Sequence, residues 1–285
     1  MGTRIGRLWV TAALTLACWI CPPDVAAAGK STIEADVIGA LNPDGLMVRV
    51  TGSRRWALGG KQPGPLSPYV QGGLMLAATP AYAKGALQLE WLPHPALQLI
   101  AESTLYRYFG GETEALLSFP SGDAPFGDRE VDARKGEAES AWGVRLLLKP
   151  VVRVPLGPVL LRNVTRVAWL SFSGTGPYFL EWEYDTLFKD GDWYLADMLQ
   201  ALVTVWHGGK EASLLVGPFY EIARAGAAGI VQQRAGLIAA WTVADKYGPL
   251  RRPGLGIEAG FHLSDPNRQG EPYILIGIET YFDLD

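Results

Sequence analysis

The sequence predicts an all-β protein that closes into a single antiparallel transmembrane β-barrel of about twelve strands. Three observations carry that expectation. Of the 285 residues, 48% are hydrophobic and only 19% charged, apolar for a soluble domain. Beyond Gly29, however, no stretch approaches the roughly 18 consecutive apolar residues of a membrane helix. The apolar residues instead alternate with polar ones at period two, in long segments punctuated by Gly, Pro, Asn and Asp; crossing a bilayer takes about 9 to 11 residues per strand, against about 5 to 6 in an average soluble strand.

Residues 1–28 read differently. Arg4 and Arg7 make a basic start, Leu8 to Ile20 an apolar run, and Ala26-Ala27-Ala28 a small-residue cleavage site, the pattern of a secretory signal peptide. The run, about 13 residues, is too short to span a ~30 Å hydrocarbon core as a helix. The expected organisation is therefore a leader, 1–28, and one barrel domain, 29–285. Both cysteines, Cys18 and Cys21, fall in the leader, so no disulfide, cysteine metal site or cofactor is expected of the mature chain. Removing Arg4, Arg7 and Asp24 from 25 basic and 29 acidic side chains leaves 23 and 28, a net charge of −5 that does not favour nucleic acid.

In chain order, the strands are expected at about 33–41, 46–58, 67–79, 84–92, 97–109, 138–149, 158–171, 194–207, 212–223, 230–243, 254–264 and 272–284. The last two show the alternation best. Leu255, Ile257, Ala259, Phe261 and Leu263 oppose Gly256, Glu258, Gly260, His262 and Ser264. Ile274, Ile276, Ile278, Phe282 and Leu284 oppose Tyr273, Gly277, Glu279, Tyr281 and Asp283, with Leu275 the apolar exception.

Projecting every strand by parity gives an ionic inward set: Glu34, Asp36, Arg49, Arg55, Glu90, Glu102, Arg145, Arg162, Arg166, Glu221, Arg234, Glu258 and Glu279. The outward set is mostly aliphatic, with Arg54 the exception. Charge on a lipid-facing wall costs about 2 to 4 kcal/mol for Arg or Lys at the midplane, so this segregation is what a barrel in lipid requires. Such residues can either plug a narrow lumen as a network or line a path for a polar solute. Aromatic residues gather at strand ends (Trp56, Tyr69, Trp91, Tyr108, Phe109, Trp142, Trp169, Trp206, Trp241), as interfacial girdles do.

Taken together, the mature chain resembles the Gram-negative outer-membrane β-barrels. That resemblance implies an outer-membrane location, contact with outer-membrane lipid and lipopolysaccharide, and insertion by the barrel-assembly machinery. The last strand is similar to the terminal strand by which such barrels are recognised, although it ends Leu284-Asp285 and not on an aromatic residue. Barrels of this kind keep termini and short turns in the periplasm and long loops outside. The short connections are then Gly59–Leu66, Pro93–Ala96, Pro150–Gly157, Gly208–Glu211 and Ala244–Pro253. The two longest, Gly110–Glu137 and Phe172–Trp193, fall outside as loops, the second read as strand-free.

Three side-chain groups could carry chemistry. His262 and Ser264 lie two apart on one strand, similar to the His-x-Ser arrangement of the outer-membrane phospholipase family, also twelve-stranded. That resemblance implies Ser264 as nucleophile and His262 as its base, but parity points both inward and no orienting amide lies nearby. The acidic run Glu181, Glu183 and Asp185 could hold a divalent cation in the second long loop, or simply be solvated there. Asn163-Val164-Thr165 matches a glycosylation acceptor by letter only, inside a strand. The expected function is passage of a small polar or ionic solute, ahead of a barrel acting through its two outer loops or a lipid hydrolase using His262 and Ser264.

Overall fold

The computed structural model describes residues 29–41, 45–58, 67–110, 116–208, 212–244, 246–247 and 250–284; the leader, the whole 59–66 connection, 111–115 of the first long connection, most of 208–211 and part of 244–253 lie outside the described residues. Twelve long strands form the wall: β1 (Lys30–Leu41), β2 (Gly45–Ala57), β3 (Tyr69–Ala78), β4 (Tyr82–His94), β5 (Leu97–Tyr108), β7 (Trp142–Leu156), β8 (Val159–Phe172), β11 (Asp192–His207), β12 (Ser213–Ala225), β13 (Val231–Thr242), β15 (Leu250–Ser264) and β16 (Pro272–Asp283). Each pairs antiparallel with its neighbours in chain order. The sheet closes where β1 meets β16, with Thr32 opposite Asp283 and Leu41 opposite Ile274. Closure leaves no unpaired edge, the condition for a sheet to sit in hydrocarbon. Both described ends of the chain therefore lie at the same end of the barrel, called here the terminal end.

Three short strands lie outside the wall, β6 (Ser118–Phe119), β9 (Tyr178–Glu181) and β10 (Thr186–Lys189), while a fourth, β14 (Lys246–Tyr247), pairs with the first residues of β15. Among the described residues the one α-helix, α1, spans Asp128–Asp132, too short to cross a membrane, so the crossing elements are strands.

The outer wall is mostly apolar. Leu46, Val48 and Val50 on β2, Leu74 and Leu76 on β3, Leu195 and Leu199 on β11, and Leu237 on β13 are all exposed; Leu237 reaches 61%. In water such a surface would be a severe aggregation liability, whereas in lipid it costs nothing. Trp91, Trp206 and Trp241 stand on this wall toward the terminal end, and Phe109, Trp142 and Trp193 toward the other. Tyr69 and Tyr108, expected in the girdles, instead point inward, 4% and 0% exposed, because the hydroxyl of each finds a carboxylate in the lumen, Glu90 and Glu181 respectively.

Two boundaries differ from the expectation. Strand β7 runs through Pro150 and Pro155 to Leu156, leaving only Gly157-Pro158 as the turn where 150–157 was expected. Proline's fixed φ near −65° lies in the extended region, so it need not end a strand, and Gly157 takes the positive φ, +61°, that so tight a reversal requires. The second long connection is not strand-free: β9 and β10 form a hairpin, and β6 joins β9 to make a three-stranded sheet separate from the wall. Four-residue strands are too short to cross a bilayer, so the wall keeps twelve.

Candidate functional site

The apolar segments of the two long connections fold into the barrel, while Asp123, Asp128, Arg129 and Asp132 of the first stay exposed. Leu116, Leu117, Phe119, Phe126, Phe179, Leu180, Leu187 and Phe188 are buried together against the inward faces of Tyr82, Tyr106, Tyr108, Phe172 and Tyr194 on the wall. The sequence dictates this locally. Tyr178-Phe179-Leu180 and Leu187-Phe188 are unbroken apolar runs, and a hairpin built from them has no polar face to offer solvent. Fully burying one such side chain stabilises by about 1.5 to 3 kcal/mol. The hairpin therefore plugs the end of the barrel opposite the termini.

Its tip, 182–185, carries the acidic run, which is neither solvated nor arranged as a cation site. Glu183 accepts hydrogen bonds from Tyr82 Oη at 2.9 Å and Tyr106 Oη at 3.3 Å, and pairs with Lys84 and with Arg145. Arg145 in turn bridges to Glu102 and reaches Tyr184 Oη at 3.3 Å. Burial works against the Glu183 charge, but Lys84 and Arg145 overcome it and hold its carboxyl well below the ordinary range. Glu181 is buried beside it, pushed upward by burial and by the Glu183 charge. Asp185, with φ +47°, is held by Arg268 of the β15–β16 turn at 2.6 Å; Arg268 also reaches Asp128 at 2.6 Å. Gln232 donates to the Asp185 carbonyl at 2.7 Å and to Asp265 at 2.9 Å. With these oxygens occupied, no group of three His, Cys, Asp or Glu side chains among the described residues is placed to hold a metal ion.

All thirteen inward-projected charged residues lie on the lumen face. Arg49 pairs with Asp36 at 2.8 Å and Glu34 at 3.6 Å, and Arg55 donates to Gln71 and stacks over Tyr69. Glu90 accepts from Tyr69 and from Gln98 at 2.6 Å. Glu221 is shared by Arg166 at 2.6 Å and Arg234, while Arg162 donates to Gln200 at 2.7 Å and Tyr273 donates to Glu258 at 2.9 Å. Below the plug, Asp36, Arg49, Glu258 and Glu279 line a cavity of about 260 Å³ with Ile238 and Thr242. The ends of the lumen thus differ: one filled with apolar plug, the other polar and partly empty.

The His262 and Ser264 pair does not form. Arg234 faces His262 across the β13–β15 ladder, but Gln233 faces Ser264, so one extra residue, Leu263, bulges between them. A bulge breaks the period-two rule. His262 stays in the lumen, 2% exposed and edge-on to Tyr273, with Nδ1 3.9 Å from Asp265. Ser264 shares the outward face of Gln233, whose side chain bonds Tyr220 on the outer wall. Asn163 also faces outward; with Thr165 it donates to Asp197, a carboxylate on the lipid-facing wall, at 3.0 and 2.7 Å.

Several residues of the site were missed by projection. Lys84 shares parity with Glu90 and could have been found from it. Lys149 was read as the last residue of its strand and Arg153 as part of a turn, so neither was projected inward.

No family model matches the chain, and no curated protein does. Among solved structures, the chain is similar to an outer-membrane channel from Pseudomonas putida (14% identity, TM-score 0.42, 92% of this chain and 99% of that one). It is also similar to the β domain of the Bordetella autotransporter BrkA (12%, 0.41, 89% and 99%) and to the translocator domain of NalP from Neisseria meningitidis (12%, 0.38, 91% and 90%). Likenesses this distant leave the assignment to the chain's own geometry. A closed wall that turns aliphatic side chains outward and ion pairs inward is at rest only in a bilayer. Single-chain transmembrane barrels with an even strand number are those of the bacterial outer membrane, and the chain is accordingly a Gram-negative outer-membrane β-barrel protein.

Proposed function

We propose that the barrel is a gated channel for small polar or ionic solutes, closed by the β9–β10 hairpin and opened when its tip leaves the wall. The observation that carries this reading is the nature of the attachment: Glu183 meets Lys84 and Arg145 through ion pairs in a polar lumen. Such contacts can be exchanged for water or for a solute at little net cost, whereas a permanent seal needs none of them. The cavity beneath the plug holds Asp36, Arg49, Glu258 and Glu279 among apolar neighbours, charged groups that a polar solute would meet. Burial of the β9–β10 hairpin weighs against that connection acting as a protruding loop, and the opposite orientation of His262 and Ser264 weighs against a hydrolase.

The test is conductance in planar bilayers. The refolded wild-type barrel is expected to be closed most of the time. A variant with 176–190 replaced by a short Gly-Ser linker is expected to conduct steadily. A deletion variant that is folded, by its heat-modifiable gel mobility, yet silent would refute the proposal.

A further inference from the structure

Most lumen cations described above are matched by a carboxylate: Arg49 by Asp36, Lys84 and Arg145 by Glu183, Arg166 and Arg234 by Glu221. Arg55 is not, being held by Gln71 and the Tyr69 ring, and neither are three cations on the adjacent strands β7 and β8. Arg153 on β7 and Arg162 on β8 stand directly opposite each other on the lumen face. Their hydrogen bonds go to neutral amides, Arg153 to Gln98 and Arg162 to Gln200 at 2.7 Å. Gln200 is 2% exposed, so it holds Arg162 in place without neutralising it. Lys149 lies four residues further along β7 on the same face, beside Arg166, and among the described residues no carboxylate lies within ion-pair distance of Lys149, Arg153 or Arg162.

Like charges directly opposite on a ladder are destabilising, and no carboxylate among the described residues pairs directly with either here, Glu90 meeting Arg153 only through Gln98. Two guanidinium groups at directly opposite register positions, each anchored by one amide, keep further N–H donors for a ligand, and carboxylate and phosphate oxygens accept such donors in pairs. The pair sits four residues from the Gly157-Pro158 turn, about 13 Å of strand from the terminal end. Arg145, Lys149 and Arg153 then follow one another at four-residue spacing along the same face of β7, a line of cations leading from that opening to the plug.

We infer that Arg153, Arg162 and Lys149 form a binding site for an oxyanion, a carboxylate or phosphate group, entered from the terminal end of the lumen. This rests on the channel reading above and narrows its solute class to anions. An anion that advances from this site along β7 reaches Arg145, where it competes with Glu183 for the same guanidinium, so the solute itself loosens the plug.

The test separates binding from conduction. Calorimetric titration of the folded full-length barrel in detergent with inorganic phosphate, and separately with succinate, is expected to show saturable binding of one or both. Binding should weaken at least tenfold in R162Q and severalfold in R162K, which keeps the charge but loses the paired donors, and be unchanged in R54Q on the outer wall. Absence of saturable binding of both probes by the wild-type barrel, or unchanged affinity in folded R162Q, overturns the inference. The hairpin-deleted barrel, if it conducts, should prefer anions by reversal potential, and that preference should fall in R153Q/R162Q. Phosphate binding by a barrel that stays silent without its hairpin would sustain this site while refuting the channel; a conducting barrel that binds neither probe would do the reverse.

Discussion

Glu183→Gln is the sharpest perturbation of the plug. The substitution keeps the shape of the side chain and the two tyrosine hydrogen bonds, but removes the negative charge that faces Lys84 and Arg145. Arg145 keeps Glu102, whereas Lys84 loses its carboxylate partner in the lumen. Breaking a buried ion pair by removing one partner costs about 3 to 5 kcal/mol. The tip is not sealed from the lumen, so about 3 kcal/mol is the appropriate end of that range. Against it stand Phe179, Leu180, Leu187 and Phe188, all under 2% exposed, whose burial stabilises the docked hairpin by about 6 to 12 kcal/mol in gross terms. The apolar anchor wins, so the hairpin stays docked on average. The open-to-closed ratio should nevertheless rise about a hundredfold, since each 1.4 kcal/mol is tenfold. Single-channel recording of open probability reads this directly. An unchanged open probability in a folded E183Q barrel would show that the ion pairs do not hold the plug.

Glu181 makes the plug pH-sensitive in the opposite direction from an ordinary carboxylate. Its carboxyl is raised above its usual value of 4.5 by burial and by Glu183, so the docked state prefers it protonated, and docking weakens as pH rises above that value. Opening frequency should therefore increase toward neutral and alkaline pH and lose that dependence in E181Q; an increase on acidification alone would contradict this. Arg268→Ala strips a buried Asp185 of its counter-charge, at a cost of about 3 kcal/mol, and should expose the hairpin tip to protease while leaving the heat-modifiable barrel band intact. Asp197→Asn removes a charge from the lipid-facing wall while Thr165 keeps an acceptor, and should leave the denaturation midpoint unchanged or raise stability by about 1 kcal/mol; a loss of that size would mean the charge is compensated there.

The wall was legible in the sequence because each strand has one face in lipid and one in the lumen, which imprints period two on residues such as Leu255 to Leu263. Parity also separated Arg49 and Glu221 from the aliphatic belt. It failed where geometry departs from an ideal strand: the Leu263 bulge moved Ser264 to the outer face, and Pro150, taken as a stop, hid Lys149 and Arg153 from the lumen set. The plug was not legible for a different reason. Its runs, Tyr178–Glu181 and Thr186–Lys189, are buried on both faces and so carry no alternation, and only tertiary packing tells a buried hairpin from an apolar loop. The acidic run Glu181 to Asp185 looks like solvated loop until Lys84, Arg145 and Arg268, each distant in sequence, are brought against it.

The hairpin lies inside the barrel, and cysteine accessibility in the intact protein tests that placement most directly. Thr186→Cys replaces a fully buried side chain on β10 with one of nearly the same size, and Gln269→Cys provides an exposed control in the β15–β16 turn. Membrane-impermeant maleimide applied to the folded barrel should label Cys at 269 readily and Cys at 186 only after denaturation. Equal labelling of both in the folded state would place the hairpin outside the lumen and contradict the account.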